Sequence, residues 1–318
     1  MKINGNLLIF SGNANPALAK RICAHLKVRL GNASIDKFND GEIRVRVDED
    51  VRGKDVFIIQ PTCLPGNDNL MELLILIDAV KRSSARRITA VMPYYGYSRQ
   101  DRKDRPRVPI TAKLVANLIT VAGANRVLTM DLHAGQIQGF FDIPLDNLFA
   151  VNTFMRYFEK KHLPDLVVVS PDVGSIKMAR AYAKKFKSGL AVVDKRRIND
   201  KQAEVMNIMG EVKGKNVCLV DDLVATAGTL VEAVVALKKA GAKKVFAAAT
   251  HAVLSGPAIE RIQDSELEEL IVTDTIPIPR EKMIPQIKIL SVGPLLGQAI
   301  ARIHKEQSIS ILFDKVYQ

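Results

Sequence analysis

The feature that most constrains the fold of this chain is a repeat. Residues 79–88 read AVKRSSARRI and residues 236–245 read ALKKAGAKKV, with Ala, Lys and Ala identical in place and mostly like-for-like exchanges elsewhere. Upstream, VRGKDV at 51–56 matches VKGKNV at 212–217 at nearly the same spacing. Two separate matches, each offset by about half the chain, point to a duplicated domain. Each copy shows the same order of signals: a Gly-Lys turn, a short β-branched run (VFII, VCLV), a loop, an apolar helix, a basic turn and a second short run (ITAVMP, VFAAAT). Strands alternating with helices build mostly parallel sheets covered on both faces, so the fold class is α/β. The 318 residues suit two domains of ordinary size, expected over 1–150 and 151–318.

The copies diverge between the matched segments. There the first begins QPTCLPGNDN and the second DDLVATAGT. Ligands of such sheets sit beyond the carboxyl ends of strands, so the second loop is the expected binding loop and the first a structural relic. Residues 217–229, VCLVDDLVATAGT, read as a buried strand ending in two carboxylates, then a small-residue turn that opens a helix. Thr226, Ala227, Gly228 and Thr229 can present backbone N–H groups and two hydroxyls to one anion at a helix N-terminus. Asp221 and Asp222 beside them are acceptor-only groups, suited to hydroxyls or a hydrated Mg²⁺. A phosphate on one side and hydroxyls on the other describe a sugar phosphate.

Composition narrows the partners. Lys and Arg number 46 against 34 Asp and Glu, a net charge of +12, which suits either nucleic acid or small, highly phosphorylated substrates. The basic residues are spread over many short clusters, with no tail or long basic helix. Aromatics are 5% and Trp is absent, which argues against a stacking platform for single strands, so no nucleic-acid partner is expected. Apolar runs such as Leu73 to Ile77 fall far short of the roughly 20 residues of a bilayer span, and the start, MKINGNLLIFSGNANP, is too short for a secretory signal. Cys23, Cys63 and Cys218 stand singly, as expected for unpaired thiols in a reducing cytoplasm.

Three further segments carry chemistry. In TMDLH, residues 129–133, a strand end would project Asp131 and His133 on one face, where His133 can ligate a metal or meet a nucleotide phosphate. SRQDRKDRPR, residues 98–107, packs four Arg and one Lys into a loop after an apolar strand, where a triphosphate could lie. DKRRINDKQA, residues 194–203, is too charged to pack and too short for a domain, which suits a mobile lid. GEVKGK at 210–215 lacks the spacing and the following helix of a P-loop and reads as a turn.

The DDLVATAGT loop resembles the ribose-5-phosphate loop of type I phosphoribosyltransferases and, more closely, that of the ribose-phosphate pyrophosphokinase family. FNDGE at 38–42, PYYGYSRQDR at 93–102, TMDLHAGQIQGFF at 129–141, SPDVG at 170–174, EVMN at 204–207 and VTDTIP at 272–277 look like that family's motifs in its order. The resemblance implies two duplicated type I phosphoribosyltransferase-like domains and Mg²⁺-dependent transfer of the pyrophosphoryl group of ATP to the C1 hydroxyl of ribose 5-phosphate. It assigns Lys195 and Arg197 to catalysis and Phe38, Asp40, Glu42, Arg99, Gln100 and Asp101 to ATP. It assigns Asp221, Asp222 and Thr226 to Thr229 to ribose 5-phosphate, His133 and Asp172 to the metal region, and Arg107, Ser308 and Ser310 to a regulatory site. A cytoplasmic homo-oligomer, hexameric by resemblance, is implied as well. A non-catalytic regulatory paralogue is the alternative, against which His133, Lys195 and Arg197 speak. Three positions depart from the pattern: Ala225 replaces a usual Asp, Ser175 a usual Gly, and the lid lacks a proline after its basic pair.

Overall fold

The computed structural model of the protein describes residues 5–196 and 205–313. The described residues form two compact units, one of residues 5–149, Thr275–Pro277 and residues 291–313, the other of residues 150–196, 205–274 and Ile278–Leu290.

In the first unit β1 (Leu7–Ser11) leads into α1 (Pro16–Leu26) and a hairpin of β2 (Ala33–Lys37) and β3 (Ile43–Val47). There follow β4 (Asp55–Ile59), α2 (Gly66–Arg82), β5 (Arg87–Met92), α3 (Thr111–Ala122), β6 (Arg126–Met130) and β7 (Leu145–Leu148). Strands β1, β4, β5, β6 and β7 form a parallel sheet in that order, while β2 and β3 pair only with each other. The VFII run becomes β4, buried along its whole length, as a strand covered on both faces must be. Its core joins Phe10, Ile58, Leu73, Ile77, Met92 and Ile119. At the start of α1, Asn15 accepts the Leu18 N–H and Pro16 occupies the first turn, where its missing donor costs nothing.

The second unit contains α4 (Val151–Lys161), β8 (Leu166–Ser170), α5 (Ile176–Phe186), β9 (Gly189–Arg196), β10 (Val205–Met209) and β11 (Asn216–Val224). It continues through α6 (Gly228–Lys239), β12 (Lys244–Ala252), α7 (Ala258–Gln263), β13 (Glu269–Thr273) and β14 (Ile287–Leu290). Here β8, β11, β12, β13 and β14 are parallel neighbours, in the chain order of the five sheet strands of the first unit. The antiparallel pair β9 and β10 stands where β2 and β3 stand in the first copy, but β9 joins the main sheet beside β8. The duplicated, mostly parallel α/β architecture expected from the sequence is therefore present. No helix among the described residues is long and apolar enough to cross a membrane.

The expected division places everything after residue 150 in the second domain, and the structure corrects it at the C-terminal end. After β14 the chain returns to the first unit as α8 (Gly293–His304) and the short α9 (Ser310–Phe313). Helix α8 packs on α1 so closely that a Cβ on Gly297 would lie 2.8 Å from the His25 ring. At the end of α8 the His304 Nδ1 lies 2.7 Å from the Asp55 carboxylate, which also receives two bonds from the Arg87 guanidinium at 2.8 and 2.6 Å. Arg87 in turn donates to the Ile303 carbonyl at 2.9 Å. A clasp of side chains, invisible to hydrophobic periodicity, thus ties the last long helix to the first sheet. Asp55 is 1% exposed, so its removal strands its partners. Asp55→Ala is expected to lower unfolding stability by about 3 kcal/mol, read by urea denaturation; a loss under about 0.5 kcal/mol would contradict the clasp.

Candidate active site

The site in the second unit begins with unequal strand lengths. Strand β11 pairs with β8 only as far as Leu219 opposite Val169, whereas its pairing with β12 continues to Val224 opposite Ala252. Asp221 and Asp222 therefore lie inside the strand, on the part that outruns β8; the carboxylates expected as its last residues are followed by Leu223 and Val224, which still pair with β12. Adjacent strand residues face opposite ways: Asp222 is buried and Asp221 partly so.

The loop that follows has its carbonyls committed on one side. The N–H of Leu254 donates to the Val224 carbonyl (3.0 Å), that of Ser255 to the Ala225 carbonyl (2.9 Å), and the Arg261 guanidinium to the Thr226 carbonyl (3.0 Å). Ala227 then adopts φ +59°, in the left-handed region uncommon for a residue with a Cβ, and Gly228 opens α6. Among the described residues the N–H groups of Ala227, Gly228 and Thr229 find no protein acceptor. Three adjacent donors at a helix N-terminus make an anion cradle, and the hydroxyls of exposed Thr226 and Thr229 flank it.

A second loop, after β8, approaches Asp221. Asp172 accepts the Ser175 N–H at 2.8 Å, and the Ser175 hydroxyl lies 3.5 Å from Asp221. Burial pushes the Asp221 carboxyl well above the ordinary range, reinforced by the charges of Asp222 and Asp172. The Asp222 N–H, which donates to Asp221 at 2.9 Å, opposes the shift. Such a set takes hydroxyl donors or a cation readily, because either relieves the repulsion among acceptors. Among the described residues no three His, Cys, Asp or Glu side chains converge as a ready-made metal cage.

The other expected residues fall in the first unit or outside the description. Arg99, Gln100 and Asp101 lie in the long loop between β5 and α3. Gln100 is anchored to the start of α3 through Ala112 N–H (3.1 Å) and the Thr111 hydroxyl (2.5 Å), and Asp101 accepts from Gln136 at 2.6 Å. Since Gln136 follows His133 in the next loop, the structure brings the basic loop and the DLHAGQ segment together. The expected strand-end geometry of that segment is wrong, however. Strand β6 stops at Met130, Asp131 turns to φ +37° and is buried, and His133 is exposed. Phe38, Asp40 and Glu42 form the exposed β2–β3 turn, closed by Phe38 N–H to Glu42 (2.8 Å) and Glu42 N–H to Asp40 (3.2 Å). The Arg44 guanidinium lies 5.1 Å from the Phe38 ring centre.

Arg107 is exposed at φ +63°, and the Ser308 and Ser310 hydroxyls, in the same unit, are 2.7 Å apart. Lys195 sits in β9 opposite Met206, but its side chain and the whole of Arg197 lie outside the described residues, as does most of the expected lid. Sequence reasoning missed Arg261 and residues 254–255, which shape the cradle. A single arginine on a short helix carries no local signal of that role.

The first copy shows what the relic became. At the corresponding strand ends, the buried Glu72 carboxylate of α2 accepts the Asn13 N–H (2.6 Å), the Asn13 side-chain amide (2.9 Å) and the Gln60 amide (2.7 Å). A Cβ on Gly12 would lie 2.3 Å from Gln60 and 2.6 Å from Glu72. The loop after β1 and the end of β4 are thus tied to a carboxylate of α2.

Comparison with known proteins decides the family. Residues 7–123 match the N-terminal domain of ribose phosphate pyrophosphokinase, and residues 196–314 the phosphoribosyl synthetase-associated domain. A ribose-phosphate pyrophosphokinase of Caldanaerobacter subterraneus subsp. tengcongensis is 58% identical over 98% of this chain and 99% of its own length. The chain belongs to the ribose-phosphate pyrophosphokinase family. Another member, from Campylobacter jejuni, is 56% identical over 96% of this chain and 98% of its own length. The crystal structure of a phosphoribosylpyrophosphate synthetase from Mycobacterium smegmatis superposes with a TM-score of 0.90 at 44% identity, covering 95% of this chain and 99% of that one.

The Asp221 shift has a direct consequence. Its folded-state value is raised, so ionisation costs the folded state stability above the unfolded value, about pH 4, and the cost grows as pH rises toward the folded value. Asp221→Asn removes that cost. In ligand-free protein at pH 7 the variant is expected to melt higher than the parent, with the gap closing as pH falls to about 4. A lower Tm at pH 7 would refute the assignment.

Proposed function

We propose that the protein transfers the pyrophosphoryl group of ATP to the C1 hydroxyl of ribose 5-phosphate, giving phosphoribosyl pyrophosphate and AMP. The observation that carries this reading is the cradle of Ala227, Gly228 and Thr229 beside two aspartates, in a chain that belongs to this family. The 5-phosphate is bound by the cradle N–H groups and the Thr226 and Thr229 hydroxyls. Asp221 and Asp222 accept the ribose hydroxyls and fix the sugar. The C1 oxygen attacks the β-phosphorus, the bond from that phosphorus to the α-phosphate oxygen breaks, and AMP leaves. No protein nucleophile is needed, since positioning and charge stabilisation suffice for phosphoryl chemistry.

On the ATP side, the exposed Phe38 ring, with the Arg44 guanidinium against it, offers an apolar face to the base, beside the acceptors of Asp40 and Glu42. Arg99 and Gln100 bind phosphate oxygens, and Asp101 holds the Gln136 segment that carries His133. Lys195 and Arg197 neutralise charge that develops on the transferred group. Arg107, Ser308 and Ser310 serve a regulatory anion site, and the protein works in the cytoplasm as a homo-oligomer.

Mg²⁺ fits the donor set. Asp172 and the crowded, electrically strained Asp221 are oxygen ligands of the kind a hard cation takes, and a cation that keeps several waters needs no complete protein cage. His133, a nitrogen donor, suits a phosphate contact beside the metal better than direct ligation. When bound with ATP, the cation would supply charge neutralisation. Ala225, in place of the family's usual Asp, leaves the cradle intact because its role in the structure is carried by its backbone carbonyl.

Incubation of the protein with ATP, ribose 5-phosphate and Mg²⁺ is expected to yield AMP and phosphoribosyl pyrophosphate in equal amounts, with activity lost to a chelator and restored by added Mg²⁺. ADP as the nucleotide product would overturn the reading. Binding of both substrates with no turnover would make the protein a regulatory paralogue.

A further inference from the structure

The carbonyls of Val224, Ala225 and Thr226 are held by three different donors, and only the last is a side chain. Leu254 and Ser255 supply backbone N–H groups from the end of the β12 connection, whose position is itself secured by Lys282 donating to the Leu254 carbonyl at 2.8 Å. Among the described residues the Thr226 carbonyl, at the point where the chain must reverse, is held by Arg261 alone, from α7. The guanidinium also lies against the helix start: a Cβ added to Gly228 would be 3.2 Å from the Arg261 Nη1.

A peptide unit has its carbonyl and its N–H on opposite sides. The peptide joining Thr226 to Ala227 therefore aims its N–H away from Arg261, into the cradle, for as long as the carbonyl is bound. Released, Ala227 would be free to leave the left-handed region that disfavours it, and the first cradle donor would turn with it.

We propose that Arg261 is a positioning residue for sugar-phosphate binding: it holds the Thr226 carbonyl outward so that the Ala227, Gly228 and Thr229 N–H groups converge on the 5-phosphate. The inference rests on the reading of this loop as the ribose 5-phosphate site. Its effect is on a group that the substrate carries unchanged through the reaction, so it falls on binding of the ground state and the transition state alike.

The test compares Arg261→Ala and Arg261→Lys with the parent in steady-state kinetics and in calorimetric titration with ribose 5-phosphate. Arg261→Ala is expected to raise KM and Kd for ribose 5-phosphate about tenfold, with KM for ATP and kcat at saturating sugar phosphate within about twofold of the parent. Arg261→Lys, which keeps a donor and the charge, is expected to recover part of the loss. Arg261 is exposed, so the unfolding midpoint should barely move; if the alanine variant does not fold, the lysine variant and Arg261→Gln are read in the same way. An unchanged KM and Kd for ribose 5-phosphate would overturn the inference, and so would equal losses for both substrates with a lowered Tm, the mark of a merely structural role. The Kd shift needs no turnover. A parent that binds the sugar phosphate but makes no product would therefore refute the catalytic reading and leave this inference to stand or fall on the titration.

Discussion

The site depends on one strand outrunning its neighbour. Because β8 stops pairing at Val169 while β12 continues beside β11, the end of β11 has a partner on one edge only. Asp221 and Asp222 lie on that extension. The loop beyond it can then satisfy its carbonyls from the 254–261 side, which leaves a run of N–H groups with no protein acceptor among the described residues. The crowding of Asp221 against Asp222 and Asp172 costs the fold free energy. Under the proposed function, a phosphate that carries hydroxyls would meet the N–H run and relieve that crowding together.

Duplication supplied the two halves with one strand order, and side-chain changes gave them different tasks. In the first unit the corresponding strand ends are closed by Glu72, whose carboxylate takes donors from Asn13 and Gln60. That unit instead presents exposed polar loops: the β2–β3 turn, the basic segment after β5 and the DLHAGQ segment tied to it through Gln136. It also receives the C-terminal helix through the Asp55, Arg87 and His304 clasp.

Much of this was legible in the sequence because it rests on local chemistry. The repeat fixed two α/β halves, the β-branched runs became β4, β5, β11 and β12, and the small-residue turn after DD became the start of α6. What escaped depends on distant partners. That α8 belongs to the first unit turns on Asp55 and His304, far apart in the chain, and Arg261 and Glu72 each act on a loop that sequence distance hides. The strand-face reading of Asp131 and His133 failed because β6 ends at Met130, before either residue, and a positive φ at Asp131 breaks the period.

The proposed function puts one sugar-phosphate site in each chain, at the start of α6. Its most direct test is the stoichiometry and location of ribose 5-phosphate binding, measured by calorimetric titration of the parent, of a Thr226→Val, Thr229→Val double variant and of Glu72→Gln. One molecule per chain is expected, with binding weakened at least about tenfold by loss of the two hydroxyls, since bonds to charged groups are worth about 1.5–3 kcal/mol each, and with no loss of affinity in Glu72→Gln. Two molecules per chain, or binding that survives the double variant and falls with Glu72→Gln, would contradict it.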